Sequence, residues 1–372
     1  MEIVGVAKKD KKTKNLVNRL NPKDIAIIKH KDIDEIAAHS LIESKVQCVI
    51  NTEKSISGKY PNRGPSLLLK SGIPLLEAPK DFFEKVKENK PITIKHNKIY
   101  QERLFLGKCE IINDKKVKEL LELGNKNLEN ELDKFIENTL EYAKKEKGLV
   151  LGKVKIPRIK TKLAKKHVLI VVRGKDYKRD LEAIKSYIDE VNPVLIGVDG
   201  GGDALLEQGY IPDIVVGDLD SVSDKCLLLT KEIIVHAYPD GRAPGLNRIK
   251  KLGLNAVTFP APGTSEDISL LLAYNYDASL IVAVGTHSNM IDFLEKGRKG
   301  MASTFLVRLK VGSKLVDAKG VNQLYKSKLK LKYIFGLGLA ALIPIIIISL
   351  MAPPMRELIQ LFQIKLKLLI GM

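Results

Sequence analysis

Short apolar, β-branched runs recur along this chain with polar helical stretches between them, and that alternation predicts an α/β architecture. Ile25-Ala26-Ile27-Ile28, Val46-Gln47-Cys48-Val49-Ile50 and Ile73-Pro74-Leu75-Leu76 read as strands. Helices are expected over 32–42 and through Leu67-Leu68-Leu69, and Ile92-Thr93-Ile94 with Lys98-Ile99-Tyr100 predicts a hairpin. Residues 1–22 are basic and weakly patterned and are expected as a flexible arm, ahead of a small N-terminal α/β domain over 23–112. Between Thr52 and Pro65 a polar loop carries Lys54, Lys59 and Arg63; it reads equally as an anion or partner site and as a solvated crossover.

From Asp114 to about Lys147 the period is helical, with Val117, Leu121, Leu128, Leu132, Phe135 and Leu140 close to one face. That stripe is expected to pack on its own domain, with a dimer contact as the alternative. The Lys/Arg-rich stretch around Pro157 completes a helix-plus-linker region over 113–166, and His167 reads as an incidental linker residue.

A second series of apolar runs follows: Val168–Val172, Pro193–Val198, Pro212–Gly217, Ile233–Val235, Ala256–Phe259 and Ser279–Val284. With helical runs between them, these predict a doubly wound domain over 167–312. After a basic juxtamembrane segment, 313–332, the run Tyr333–Met351 holds no charged residue. As a helix at 1.5 Å per residue it would extend roughly 28 Å, which predicts a transmembrane helix over 333–352 and a tail over 353–372. Lys326, Lys328, Lys330 and Lys332 precede it, so the charge bias predicts a single-pass protein with its bulk in the cytoplasm.

The 372 residues carry a formal net charge of +18. That balance suits an anionic membrane face, nucleotide phosphates or nucleic acid. The absence of Trp and the lack of aromatic-basic interleaving argue against nucleic acid. Cys48, Cys109 and Cys226 lie far apart without zinc spacing and are expected as buried thiols in a reducing compartment. No apolar segment of the signal-peptide kind follows the basic N-terminus.

The chemistry concentrates at strand ends. Ile214-Val215-Val216-Gly217 opens into Asp218-Leu219-Asp220-Ser221. Were the backbone extended there, Asp218 and Asp220 would point the same way. Two carboxylates so placed repel unless a cation lies between them, and Mg²⁺ with substrate phosphates fits such a loop. An ordinary turn is the competing reading. Asp199-Gly200-Gly201-Gly202 closes the preceding strand, and its glycines permit close backbone approach to a phosphate. Asp267, in Thr264-Ser265-Glu266-Asp267, opens a further helix. Arg242, weighed against a solvated turn, and Arg173 are phosphate candidates, and His287 is a candidate substrate-orienting residue.

Asp199-Gly200-Gly201, Pro212-Asp213 and Gly217-Asp218-Leu219-Asp220-Ser221 resemble the catalytic-domain motifs of thiamine pyrophosphokinases. The resemblance implies catalytic Asp218, Asp220 and Asp267, with Asp199, Asp218 and Asp220 on Mg²⁺. It also implies ATP contacts from Asp199, Gly200, Gly201, Gly202, Ser221 and Arg242. The β-rich second domain of those enzymes has no counterpart after Gly285. A longer resemblance, through Asn51–Pro65, Pro239–Gly245 and Gly297–Leu309, is to the SteA-like bacterial proteins, which are associated with the cytokinetic ring. It implies a membrane-anchored division protein at the septum, with a division-protein partner or a second copy of itself. Its nucleotide domain then acts as scaffold or switch; the alternative is an active diphosphokinase passing pyrophosphate from ATP to thiamine or a related hydroxyl.

Overall fold

Strand β1 spans Glu2–Asp10 and lies inside an eight-stranded sheet, where a flexible arm is expected from the sequence. Its uncharged run, Ile3–Ala7, is short and leads directly into Lys8, Lys9 and Asp10, yet Ile3 and Ala7 are buried on the core side. The computed structural model describes residues 2–287, 290–295, 300–321, 331–351 and 353–370. The other strands of this first sheet are β2 (Ile25–Ile28), β3 (Cys48–Asn51), β4 (Leu75–Glu77), β5 (Pro91–Lys95), β6 (Lys98–Gln101), β7 (Leu104–Lys108) and β8 (Glu110–Ile112). Their order is β7-β6-β5-β1-β2-β3-β4-β8, with β1 to β4 parallel and the hairpin strands antiparallel on one flank. Parallel strands buried on both faces need continuous apolar runs, and β2 and β3 are buried at every position.

The second sheet holds β9 (His167–Val171), β10 (Val194–Val198), β11 (Ile214–Gly217), β12 (Glu232–Ala237), β13 (Val257–Pro260), β14 (Leu280–Val284) and β15 (Leu315–Asp317). Every pairing is parallel, in the order β13-β12-β11-β10-β9-β14-β15. This is the doubly wound pattern expected from the sequence. Its direction of winding reverses between β9 and β14, which marks the crevice at their carboxyl ends as a ligand position. Gly174 and Gly285 make that crevice tight. A Cβ on Gly174 would lie 2.0 Å from the Gly285 carbonyl oxygen, and Gly285 itself takes φ +67°.

The basic stretch before this domain does not dangle. Leu163 is fully buried, the Tyr276 hydroxyl donates to the Pro157 carbonyl at 2.9 Å, and Glu232 accepts from Thr161. His167 opens β9 with Nδ1 2.9 Å from the Tyr187 hydroxyl.

The long helix Asp114–Glu146 matches its predicted extent. Its buried line is Val117, Gly124, Glu131 and Phe135, whereas Leu132 and Leu140 remain exposed. A Cβ at Gly124 would fall 2.6 Å from the Tyr60 carbonyl oxygen, so only glycine lets the 52–65 loop lie against the helix. Lys59 of that loop pairs with Glu131 at 2.8 Å. At the other end, Phe135 meets Phe293 and Thr139 Oγ1 accepts from the Met301 N–H. One helix therefore packs against both α/β domains.

Residues Gln323–Met372 form a separate unit. Helices cover Leu331–Met351, with Pro344 inside, and Pro353–Ile370. Among the described residues no helix is long and apolar enough to cross a membrane. This overturns the transmembrane helix expected at 333–352, and with it the single-pass membrane localisation. Lys326, Lys328 and Lys330 of the basic segment, and Gly297, Arg298 and Lys299, lie outside the described residues.

Candidate functional site

The carboxyl ends of parallel strands from both sheets meet at one cavity of ≈ 850 Å³. From the first sheet, the turn after β1 contributes Lys12 and Lys14, and the loop after β2 contributes His30 and Asp34. From the second sheet come Arg173 after β9, Asp199 and Gly200 after β10, Asp218 and Ser221 after β11, and His287 after β14. Thr264, Ser265 and Glu266 complete the wall at the start of the helix Ser265–Asn275. The volume lies within the range of small-molecule and nucleotide sites.

Asp199 leaves β10 in the left-handed region, φ +48°, and its Oδ1 accepts the Leu219 N–H at 3.0 Å. Its carboxylate sits where a side chain on Gly217 would be: a Cβ there would lie 1.8 Å from Asp199 Oδ1. Burial first, and then the charge of Asp218, push the Asp199 carboxyl up to about 7. That unrelieved repulsion is what a bound cation would remove.

Asp218 and Asp220 do not project together from an extended strand. β11 ends at Gly217, and Leu219 turns left-handed at φ +64° with its side chain buried. The Asp220 N–H donates back to Asp218 Oδ1 at 3.0 Å, and the Asp220 carboxylate is carried away toward the other domain. There Lys12 Nζ donates to Oδ2 at 2.7 Å and Lys14 Nζ to Oδ1 at 2.6 Å. Burial opposes ionisation of Asp220, yet the two lysine hydrogen bonds hold it well below the usual carboxylate range. The same bond raises the Lys12 ammonium.

The other sequence-derived candidates divide. Gly200 lines the cavity, where its lack of a Cβ leaves room for Arg173. Gly201 and Gly202 face inward instead. A Cβ on Gly201 would meet the Val171 carbonyl at 1.9 Å, and one on Gly202 the Cys226 sulfur at 2.8 Å, so they serve helix-on-sheet packing. Asp267 is fully buried as the third residue of a capping box with Thr264, and Ser303 Oγ donates to its Oδ2 at 2.7 Å. Burial, then the neighbouring Glu266, raise its carboxyl. Arg242 turns onto Asp240 at 2.7 Å and over the Tyr238 ring, outside the cavity wall. Asp213 accepts the Leu195 N–H and pairs with Lys231, which makes it a strand-end clamp.

Among the charged cavity residues, Lys12, Lys14 and Glu266 were not singled out from the sequence. Lys12 and Lys14 were hidden by the weak patterning of the first residues, and Glu266 by the adjacent Asp267, which matched the expected motif more closely. The signal for Glu266 is helical: as the second residue after the Thr264 cap, it lies on a different face from the capping Asp267.

Among the described residues no group of three or more His, Cys, Asp or Glu side chains is placed to hold a metal ion. Asp199 and Asp218 nevertheless fit Mg²⁺ in its usual mode, one or two carboxylates with substrate phosphates and water supplying the rest.

Residues 319–370 match the SteA-like C-terminal domain. A curated relative, the 6-hydroxymethyl-7,8-dihydropterin pyrophosphokinase of Methanocaldococcus jannaschii, is 27% identical over 152 residues, 36% of this chain. The chain spans 63% of that relative's length. Among solved structures, thiamine pyrophosphokinase from Bacillus subtilis is similar at 23% identity and TM-score 0.26, over 41% of this chain and 59% of that one. The 3-isopropylmalate dehydratase (leuD) of M. jannaschii is similar at 14% identity and TM-score 0.23, over 33% and 90%. The chain thus matches the SteA-like C-terminal domain over residues 319–370 and is similar over 152 residues to a pyrophosphokinase.

Proposed function

We propose that the pyrophosphokinase-like domain binds a Mg²⁺–nucleoside triphosphate, ATP in the simplest case, and that the N-terminal domain reads its presence as a switch in cell division. The observation that carries this reading is the pairing of Lys12 and Lys14, both in the cavity wall, with Asp220 of the aspartate loop. A polyphosphate entering between them competes for both ammonium groups, while Asp199 and Asp218 are the carboxylates suited to the cation. Mg²⁺ there neutralises phosphate charge. The SteA-like C-terminal domain supports the division context.

The test is calorimetric titration of ATP into the purified chain with and without Mg²⁺, alongside hydrogen exchange of the segment around Lys12–Lys14. Binding that requires Mg²⁺ and alters exchange there supports the switch. Absence of binding, or binding that leaves the segment unchanged, contradicts it.

A second reading, pyrophosphoryl transfer, is favoured by the space beside the aspartates. An acceptor hydroxyl oxygen would attack the β-phosphorus of ATP, the bond from that phosphorus to the α-phosphate bridging oxygen would break, and AMP would leave as the hydroxyl proton passes to a carboxylate. AMP release dependent on thiamine or 6-hydroxymethyl-7,8-dihydropterin would establish it.

A further inference from the structure

Glu266 is a buried carboxylate with one oxygen that accepts no hydrogen bond among the described residues. Its side chain is 7% exposed, and Oε2 accepts from the His287 backbone N–H at 3.3 Å and lies 3.2 Å from His287 Nδ1. Among the described residues Oε1 has no hydrogen-bond partner, and the Arg308 guanidinium stays 3.9 Å away. Arg308 donates to Thr286 and Asp317 and pairs with Glu266 by charge alone, its buried Nε having no hydrogen-bond partner among the described residues. Leaving a buried carboxylate oxygen without a donor is costly, and such a group is a strong acceptor for any N–H brought to it.

The position matters as much as the vacancy. Glu266 and His287 line the cavity with Phe293, a ring only 3% exposed, and they do so at the crevice where the second sheet reverses its winding. A carboxylate and an aromatic ring lining one cavity suit a flat heterocycle whose edge donates hydrogen bonds.

We propose that Glu266, held by His287, is a specificity residue for a heterocycle presenting a ring N–H next to an exocyclic amino group, the edge shared by guanine and the pterins. Oε1 accepts one N–H, and Oε2 retains a lone pair for the second. His287 acts as a positioning residue. The subsite lies in the cavity assigned above to the nucleotide, so the inference rests on that reading for its neighbourhood. The same edge can arrive as the base of a guanine nucleotide or as a free acceptor.

The test compares probes that differ by that amino group: guanosine against inosine, and 6-hydroxymethylpterin against 6-hydroxymethyllumazine, titrated into the full chain. At least one amino-bearing probe is expected to bind about tenfold or more tightly than its partner, because a hydrogen bond to a buried charge is at stake. Guanosine preference identifies a nucleotide base, and pterin preference a free acceptor. Glu266→Gln, with its fold checked by melting, is expected to erase the difference. Equal affinity within both pairs, no binding of any probe, or discrimination that survives Glu266→Gln overturns the proposal. Because wild-type protein alone gives the comparison, an unfolded variant does not leave it undecided. Mg²⁺–ATP titrated separately reports on the nucleotide reading, so the failure of one is distinguishable from the failure of the other.

Discussion

Lys14 Nζ lies 2.6 Å from Asp220 Oδ1, joining residues 206 positions apart and closing the cavity from the N-terminal side. Lys12 makes the same carboxylate a two-lysine contact. Both lysines are about half exposed, so each pair adds about 1 kcal/mol or less to the docking of the domains and weakens as salt screens it. The double variant Lys12→Ala/Lys14→Ala should therefore lower the melting temperature only slightly. Hydrogen exchange should rise in the turn after β1, and the rise should shrink as ionic strength increases. A large loss of stability would show that the contact does more than close the cavity.

Asp199 sets a pH dependence. In the unfolded chain an aspartate titrates near about 3.9, whereas burial and Asp218 place it at about 7 in the fold. The folded state thus holds the proton more tightly. The contribution of this group is complete below pH about 4 and is lost as pH rises through about 7. Melting in EDTA should show Asp199→Asn gaining stability relative to wild type at pH 8 and little at pH 5. Equal shifts at both pH values would contradict the assignment.

Much of this was legible beforehand. The runs that became β2, β3 and β9 to β14 are continuous and apolar because parallel strands are covered on both faces, and that signal survives without tertiary information. Strand β1 was not legible, because its short uncharged run Ile3–Ala7 merges into the basic stretch from Lys8 onward and only its neighbours reveal its burial. The aspartate loop was located but its geometry was not. One left-handed residue, Leu219, sends Asp220 to a different domain, and nothing in a Gly-Asp-Leu-Asp string reports that φ. Asp267 shows the same limit: its capping box with Thr264 is local, but its contact with Ser303 depends on a residue 36 positions away.

Gly217 tests how tightly the site is built. Alanine there would put a methyl 1.8 Å from Asp199 Oδ1, in a backbone whose dihedrals need no relief. The carboxylate must move. Gly217→Ala should retain the fold with a loss of about 1–3 kcal/mol, as for other overpacked positions, and should weaken Mg²⁺-dependent nucleotide binding. Denaturant melts and calorimetry read the two effects separately.

The three cysteines are free and buried. Burial pushes the thiols of Cys109 and Cys226 up to about 11 and that of Cys48 higher still. At pH 8 roughly a thousandth of such a thiol at most is thiolate, and access is blocked besides. A colorimetric disulfide reagent should find almost no reactive thiol in the folded chain and three after denaturation.

In the proposed nucleotide site, carboxylates at the ends of β10 and β11 receive a cation together with its polyphosphate. Calorimetric titration of ATP into wild type and into Asp199→Asn/Asp218→Asn, each with Mg²⁺ and with EDTA, tests it most directly. Binding by wild type in Mg²⁺ alone, abolished in the folded variant, is the result expected. Binding that ignores Mg²⁺, or that persists undiminished in the variant, contradicts the claim.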